Sequence, residues 1–177
     1  LGVSAVIMIV MVVHTSFLPA FLEGFAVPAT LIGAAVSMRS VAAVAVRPFL
    51  ASIVEAAGSR LRTFLATLAL AAIGTAALAV ASPIAWQFVA ALVLGVAVGV
   101  AQPLTMASIV EHVPSRQHGL ALGTRITANR LTQVLAPLFV GGLAQALGYG
   151  AAFLVAGAAI GLVAVAVAWN QRRAPSE

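Results

Sequence analysis

The sequence predicts an all-α polytopic membrane protein with six transmembrane helices arranged as two three-helix repeats. Of its 177 residues, 63% are hydrophobic and only 7% are charged, whereas a typical soluble domain is about 25% charged. The length accommodates about six spans of roughly 20 residues with short loops. The net charge of +5 comes from arginines scattered between apolar runs. This balance excludes a soluble enzyme domain, a disordered region and a nucleic-acid-binding protein.

The first three predicted spans are separated by turn, helix-breaking and charge signals. Span 1 ends where Glu23 and Gly24 interrupt its apolar sequence, and span 2 begins near Pro28. A polar stretch over residues 56–62 separates span 2 from span 3. The predicted ranges are 2–22 for span 1, 28–55 for span 2 and 63–81 for span 3.

Similar signals divide the second half of the chain. Ser82 and Pro83 open span 4, a loop over residues 112–118 precedes span 5, and a glycine-rich turn over 148–150 precedes span 6. The predicted ranges are 83–111 for span 4, 119–147 for span 5 and 151–169 for span 6. The six spans form one predicted transmembrane bundle over residues 1–171, followed by a short cytoplasmic tail over 172–177.

The loop arginines predict how the chain is oriented in the membrane. The loops after spans 1, 3 and 5 contain no arginine. Arginines follow every even-numbered span, namely Arg60 and Arg62 after span 2, Arg116 after span 4, and Arg172 and Arg173 after span 6. Because arginine-rich loops stay in the cytoplasm, we expect both ends of the chain to be cytoplasmic. The expected location is a bacterial cytoplasmic (inner) membrane.

The beginning of the chain is typical of an ordinary span and not of a secretory signal. Residues 1–18 lack a starting methionine and a basic segment, and five further spans follow them. The missing methionine leads us to expect that the chain has been cut at its front. The chain has no cysteine, which excludes a disulfide framework and a thiolate metal site.

Polar side chains are concentrated in spans 1, 2, 4 and 5. An ionisable group inside a membrane is costly and usually faces a cavity or a partner. Spans 3 and 6 are almost purely apolar, so we expect them to be lipid-facing supports. In each half of the chain, a lightly polar span is followed by an arginine-bearing span and then by an apolar span. This repeated order predicts two three-helix repeats, which is a known transporter design. The candidate substrate-cavity residues are His14, Arg39, Gln102, Arg125, Asn129, Arg130 and Gln133.

Several of these residues also have a purely structural interpretation. In this interpretation, the side chains of Arg39 and Arg125 are paired with a carbonyl group or a glutamate of a neighbouring helix and have no role in transport. His14 is either a hydrogen-bonded packing residue or a proton relay. Gln102 is either a substrate contact or part of a kink, since the adjacent Pro103 removes a backbone donor.

Span 5 has a predicted polar face, and the acidic residues of the chain lie elsewhere. Helical geometry places the polar residues of this face on one arc of about 160°; they are Thr132, Arg125, Asn129, Gln133 and Arg130. All four glutamates lie at span ends or in the tail. We therefore expect the charge that compensates the arginines to come from another chain segment or from an anionic ligand.

A loop motif follows span 2, and a second motif follows span 4. The first consists of Arg47, Pro48, Glu55, Gly58, Arg60 and Arg62. It resembles the cytoplasmic loop motif of the major facilitator superfamily. Ala51, Glu55 and Ala56 depart from the usual residues in a way that is typical of the weaker copy in the second half of such transporters. Residues 111–142 resemble the pattern around the family's tenth and eleventh helices.

The resemblance covers essentially the whole chain and implies helices seven to twelve of a twelve-helix transporter. This major-facilitator-type half would pair with a missing N-terminal six-helix half or with a second copy. The predicted cytoplasmic gate is an ion-pair network of Glu55 and Glu111 with Arg47, Arg60 and Arg116, which must break when the inward side opens. The alternative is a solvated loop whose salt bridges are worth about 0–1 kcal/mol each.

The leading hypothesis is a secondary transporter that moves a small molecule by alternating access, as a proton-coupled exporter of a drug or metabolite. One alternative is proton-coupled uptake of an organic anion that uses Arg39 and Arg130, and another is a non-transporting membrane scaffold or partner subunit. The expected partners are a small-molecule substrate and the lipid bilayer, with no nucleic acid, cofactor or metal. An enzyme is disfavoured because the chain has no aspartate, one membrane-embedded histidine and no Gly-x-Ser-x-Gly sequence.

Overall fold

The computed structural model describes residues 2–80 and 83–173, and within them nearly every residue is helical and none lies in a β-strand. This confirms the predicted all-α fold class. Span 1 consists of α1 (Gly2–Val12), a π-helical turn (Val13–Phe17) and α2 (Leu18–Glu23). Span 2 consists of α3 (Ala29–Ala45), a 3₁₀ turn (Arg47–Phe49) and α4 (Leu50–Ala57). Spans 3 to 6 are α5 (Arg60–Ala77), α6 (Ile84–His112), α7 (His118–Leu147) and α8 (Tyr149–Arg173).

Five stretches of the described chain are long and apolar enough to cross a membrane, one fewer than the six spans predicted. They are Ser4–Glu23, Ala29–Ala57, Arg60–Ala77, Ile84–Glu111 and Tyr149–Asn170. Helix α7 is as long as the others, but it is less apolar because it carries Arg125, Asn129, Arg130 and Gln133. A helix of this composition is poorly suited to contact lipid on all sides.

Prolines account for the irregular turns inside spans 1 and 2. Pro19 has no N–H to donate to the carbonyl of Thr15, and the π-helical turn lies directly before α2. Pro48 lies in the 3₁₀ turn between α3 and α4. Pro103, in contrast, is accommodated within the continuous helix α6.

Local capping explains where span 3 begins. Helix α5 starts at Arg60, a few residues before the predicted boundary, because the Ser59 hydroxyl caps it and accepts from the Arg62 N–H at 3.2 Å. The predicted end of span 3 at residue 81 lies outside the described residues. Helix α8 continues to Arg173, and residues 174–177 of the predicted tail also lie outside the described part.

The helices pack in the order expected of two related three-helix units. Span 1 packs on span 5, span 2 on span 4, and span 3 on span 6. If spans 1 to 3 are exchanged with spans 4 to 6, the pairing of spans 1 and 5 becomes the pairing of spans 4 and 2. The pairing of spans 3 and 6 stays the same. Large side chains fill the shared interior; the fully buried ones include Leu18, Leu22, Leu68, Leu94, Phe153 and Ile160.

Glycines bring two of these helix pairs close together. A methyl group built on Gly95 or Gly99 of α6 would collide with the backbone of α3, and one built on Gly157 of α8 would lie 2.9 Å from the Ala72 carbonyl oxygen of α5. The same spacing of small residues at Gly119 and Gly123 of α7 contacts nothing within 4 Å. Close helix contact therefore depends on which face a glycine occupies, and not on its spacing alone.

Side chains at the start of α6 satisfy carbonyl groups near the end of α5. The Trp86 indole N–H donates to the Ala77 carbonyl at 3.0 Å. The Gln87 amide donates to the carbonyls of Leu78 and Val80 at 3.3 and 2.5 Å. These bonds pair groups that a helix end leaves unsatisfied, so they hold the connection between spans 3 and 4 in place.

Candidate functional site

The two ends of the bundle differ in charge. An ion pair between Arg60 and Glu111 joins the start of span 3 to the end of span 4. The other end is aromatic, since the ring of Phe21 packs edge-on against Phe25 and Phe153 at centroid distances of 5.2 and 5.3 Å. The loop arginines of the described residues therefore lie at one end, which we call the arginine end.

The residues of the predicted gate are only partly brought together. Arg60–Glu111 is the one ion pair among the described side chains, and both partners are about half exposed. The Arg47 guanidinium instead donates to the Gln102 amide oxygen at 3.5 Å. The remaining gate residues are exposed; they are Pro48, Glu55, Gly58, Arg62 and Arg116. An exposed ion pair contributes about 0–1 kcal/mol, so this contact is a weak latch.

Backbone geometry places the latch residues. Helix α4 ends at Ala57 and is followed by Gly58, whose φ of +72° lies in the left-handed region that favours glycine. This turn lets α5 begin at Arg60 directly beside the end of α6. His118 supports the same corner, because its Nε2 atom lies 2.8 Å from the Val113 carbonyl oxygen.

A cleft of about 370 Å³ lies between spans 1, 2, 4 and 5. It is lined by Met8, Arg47, Gln102, Pro103, Met106, Arg125 and Asn129. Three of these, Gln102, Arg125 and Asn129, are predicted substrate-cavity residues, and the cleft brings them together from spans 4 and 5. Arg47, which the sequence predicts as a gate residue, joins them from span 2. Neither Arg39 nor Arg130 is among the lining residues.

Arg125 is the most extensively bonded residue of the cleft. It is 6% exposed. Its Nε donates to the Ser4 hydroxyl at 3.0 Å, its Nη2 to the Thr105 hydroxyl at 2.8 Å, and its Nη1 to the Met106 sulfur at 2.9 Å. The guanidinium therefore ties α7 to spans 1 and 4 through neutral acceptors alone.

The polar face of α7 continues away from Arg125 along the helix. Asn129 lies one turn further, and its amide oxygen is buried without a hydrogen-bond partner. The Gln133 amide donates to the sulfur of Met8 at 3.4 Å and accepts from the Arg130 guanidinium at 3.1 Å. Arg130 itself is exposed on the surface of the six helices.

His14 and Arg39 form a second buried polar region. His14 lies in the π-helical turn, is fully buried, and has no partner for either ring nitrogen. Arg39 is also buried; its Nη2 lies 3.4 Å from the Ser40 hydroxyl and its Nε is unpartnered. Neither residue is among those that line the cleft.

The structure adds residues that sequence patterns did not single out. Met8 and Met106 supply sulfur acceptors to the polar face of α7, and Ser4 supplies a hydroxyl. Methionine is normally interpreted as core, so its role as an acceptor carries no sequence signal. Among the described residues, no group of three histidine or acidic side chains is arranged to hold a metal ion.

Comparison with models of known protein families identifies a match. The family model described as Major Facilitator Superfamily matches residues 1–177, which is the whole chain. A search of curated proteins finds no match for the sequence.

Proposed function

The chain belongs to the major facilitator superfamily, and from this premise we propose that the cleft between spans 1, 2, 4 and 5 is the substrate path of a secondary transporter. Members of this family are integral membrane transporters and not enzymes. The observation that carries the proposal is the convergence of Arg47, Gln102, Arg125 and Asn129 on one cleft in a largely apolar bundle. Polar groups in such a position mark substrate pathways.

We assign the gate to the latch between Arg60 and Glu111. The pair joins the first residue of span 3 to the end of span 4 at the arginine end, and we propose that it closes this end when it is formed. Its small contribution to stability suits a contact that must break in every transport cycle. Because arginine-rich loops stay in the cytoplasm, we place this end on the cytoplasmic side, with both ends of the chain, in a bacterial inner membrane.

We further propose that these six helices are helices seven to twelve of a twelve-helix transporter. The exposed Arg130 and Gln133 lie within α7, where contact with lipid would be costly. A second six-helix unit would cover them. The departures at Ala51, Glu55 and Ala56 favour the second half over the first.

The mass of the native protein tests this arrangement. A twelve-helix polypeptide is expected at about twice the 17.8 kDa of this chain. A native polypeptide of the chain's own mass that crosslinks as a dimer would support a second copy as the partner instead. A monomer of that mass would contradict both arrangements.

For direction and energy source, we propose proton-coupled export. No carboxylate is among the described residues that line the cleft, so we assign the proton-binding carboxylate to the second six-helix unit. The alternative is proton-coupled uptake of an organic anion, which the positive charge of Arg47 and Arg125 favours. Transport into right-side-out and inside-out vesicles under an imposed proton gradient separates the two directions.

Labelling of a cysteine in the cleft tests the gate without knowledge of the substrate. This chain has no cysteine, so Met106→Cys provides a unique reporter once any cysteine outside the chain is replaced. In the native protein, a membrane-impermeant maleimide is expected to reach this position from either face of the membrane, because the cleft opens alternately. Arg60→Gln or Glu111→Gln is expected to raise the labelling rate from the cytoplasmic face by up to about fivefold, the equivalent of 1 kcal/mol.

Two further variants make this test specific. The charge exchange Arg60→Glu with Glu111→Arg is expected to restore the original rate, and Arg116→Gln, at the same end but outside the ion pair, is expected to leave it unchanged. If the charge exchange does not restore the labelling rate, the Arg60–Glu111 pair is not the gate. Labelling from one face alone in every variant would contradict alternating access and favour a non-transporting scaffold.

A further inference from the structure

We infer that the cleft binds a small organic anion whose carboxylate or phosphate group is held by Arg125 and Arg47. This inference rests on the proposed function of the cleft as a substrate site. Sequence patterns had suggested Arg39 and Arg130 for an anion site, whereas the structure places Arg47 and Arg125 in the lining of one cleft. The anion class therefore follows from a different pair of arginines.

The surroundings of Arg125 leave its charge uncompensated. Its three acceptors are two hydroxyl groups and a thioether sulfur, none of which carries a negative charge. No described carboxylate lies within ion-pair distance of it. A buried guanidinium in a membrane protein is costly without a counter-charge, so an anion entering the cleft would gain a strong electrostatic interaction.

The guanidinium also retains donors for such a ligand. Arginine has five N–H groups, and three of them serve Ser4, Thr105 and Met106. The planar geometry of the group suits carboxylate and phosphate oxygens. The Ser4 and Thr105 bonds fix the position of Arg125, so that little freedom would be lost when an anion binds.

The other lining groups indicate the rest of the ligand. Arg47 supplies a second positive charge, and it is held loosely, by one bond of 3.5 Å to Gln102. The buried amide oxygen of Asn129 lacks a donor, so a hydroxyl or amino group of the ligand would satisfy it. Met8, Pro103 and Met106 provide apolar surface, and about 370 Å³ is at the small end of ligand pockets. The expected ligand is a small anion with an apolar part and one hydrogen-bond donor.

Thermal stability of the purified native protein tests the anion class. The probes are acetate, lactate, benzoate and phenyl phosphate, with acetamide, lactamide, benzamide and phenol as their respective neutral counterparts and benzylamine as a cation. At least one anion is expected to raise the Tm, whereas its neutral counterpart and the cation do not. No shift with any anion, or equal shifts with the neutral counterparts, would overturn the inference.

Variants of the two arginines locate the effect. Arg125→Gln is expected to weaken the binding of the active anion by about tenfold or more, because a charge-assisted hydrogen bond is lost, and Arg125→Lys is expected to restore part of it. Arg47→Gln is the second test, because Arg47 is exposed and its replacement should not impair folding. Arg116→Gln, at the arginine end but outside the cleft, is expected to leave the Tm shift unchanged. If Arg125→Gln lowers the basal Tm but keeps the full anion shift, Arg125 is only a tether between spans and the inference fails.

The cysteine-labelling experiment keeps this inference separate from the proposed function. If Met106→Cys is labelled from both faces but no anion changes the Tm, the proposed function stands and the anion inference fails, so the substrate belongs to another class. If an anion binds but labelling occurs from one face only, the cleft is an anion site and the proposal of alternating access fails.

Discussion

Gly95→Val is expected to disrupt the packing of span 4 against span 2 and to lower the yield of folded protein severely. A side chain at this position would collide with the Arg39 carbonyl and with Cβ of Ala42 on α3. A backbone carbonyl cannot rotate away as a side chain does, so the two helices must separate. Overpacking of this kind typically costs 1–3 kcal/mol and occasionally more, and we expect about 3 kcal/mol or more here.

Gly99→Val is expected to behave in the same way, because an added Cβ would lie 2.8 Å from Cα of Ala43. The matched control is Gly33→Val on α3, where an added Cβ meets nothing within 4 Å. Folded yield and Tm in detergent measure the effect. Equal losses for Gly95→Val and Gly33→Val would show that helix propensity, and not the contact between α3 and α6, determines the result.

Arg39→Met is expected to raise the thermal stability of the protein. Arg39 is 6% exposed, and its guanidinium has one long bond to Ser40 and an unpartnered Nε. A charged side chain at the centre of a membrane helix costs about 2.5–3.5 kcal/mol on insertion scales, and methionine fills similar space without a charge. A gain of about 2 kcal/mol would raise the Tm by roughly 4–8 °C.

Two controls isolate the charge of Arg39. Arg39→Lys keeps a positive charge and is expected to give no gain in Tm. Arg116→Met replaces an exposed loop arginine and is expected to leave the Tm unchanged. A lower Tm for Arg39→Met would show that the guanidinium stabilises the fold through partners that these six helices do not supply, such as a carboxylate of the second six-helix unit.

The sequence was sufficient to predict the fold class. Long apolar stretches leave helices as the structure that satisfies their backbone in a membrane, and residues such as Gly24, Pro28 and Gly148 mark where the stretches break. Helix α7 shows the limit of that inference. Its length predicts a span, but Arg125 and Arg130 make it less apolar than the other five, so its environment depends on what packs against it.

The candidate site could be predicted only in part. Helical periodicity places Arg125 and Asn129 on one face, because that relation is internal to a single helix. It does not reveal that this face meets Met8 and Met106, nor that Arg47 lines the same cleft. Those contacts join residues on different spans, and they depend on how each helix is rotated about its axis.

The sequence by itself therefore determined that this protein is helical and membrane-embedded, and it predicted a common end for the arginine-bearing loops, because composition and charge act along the chain. Only the tertiary structure decided which arginines share a cleft and which glycines allow close contact. Gly95 and Gly119 begin the same spacing of small residues, yet Gly95 meets the backbone of α3 and Gly119 meets nothing within 4 Å. The difference arises because close packing is a property of two helix surfaces, and the sequence of one helix describes only its own.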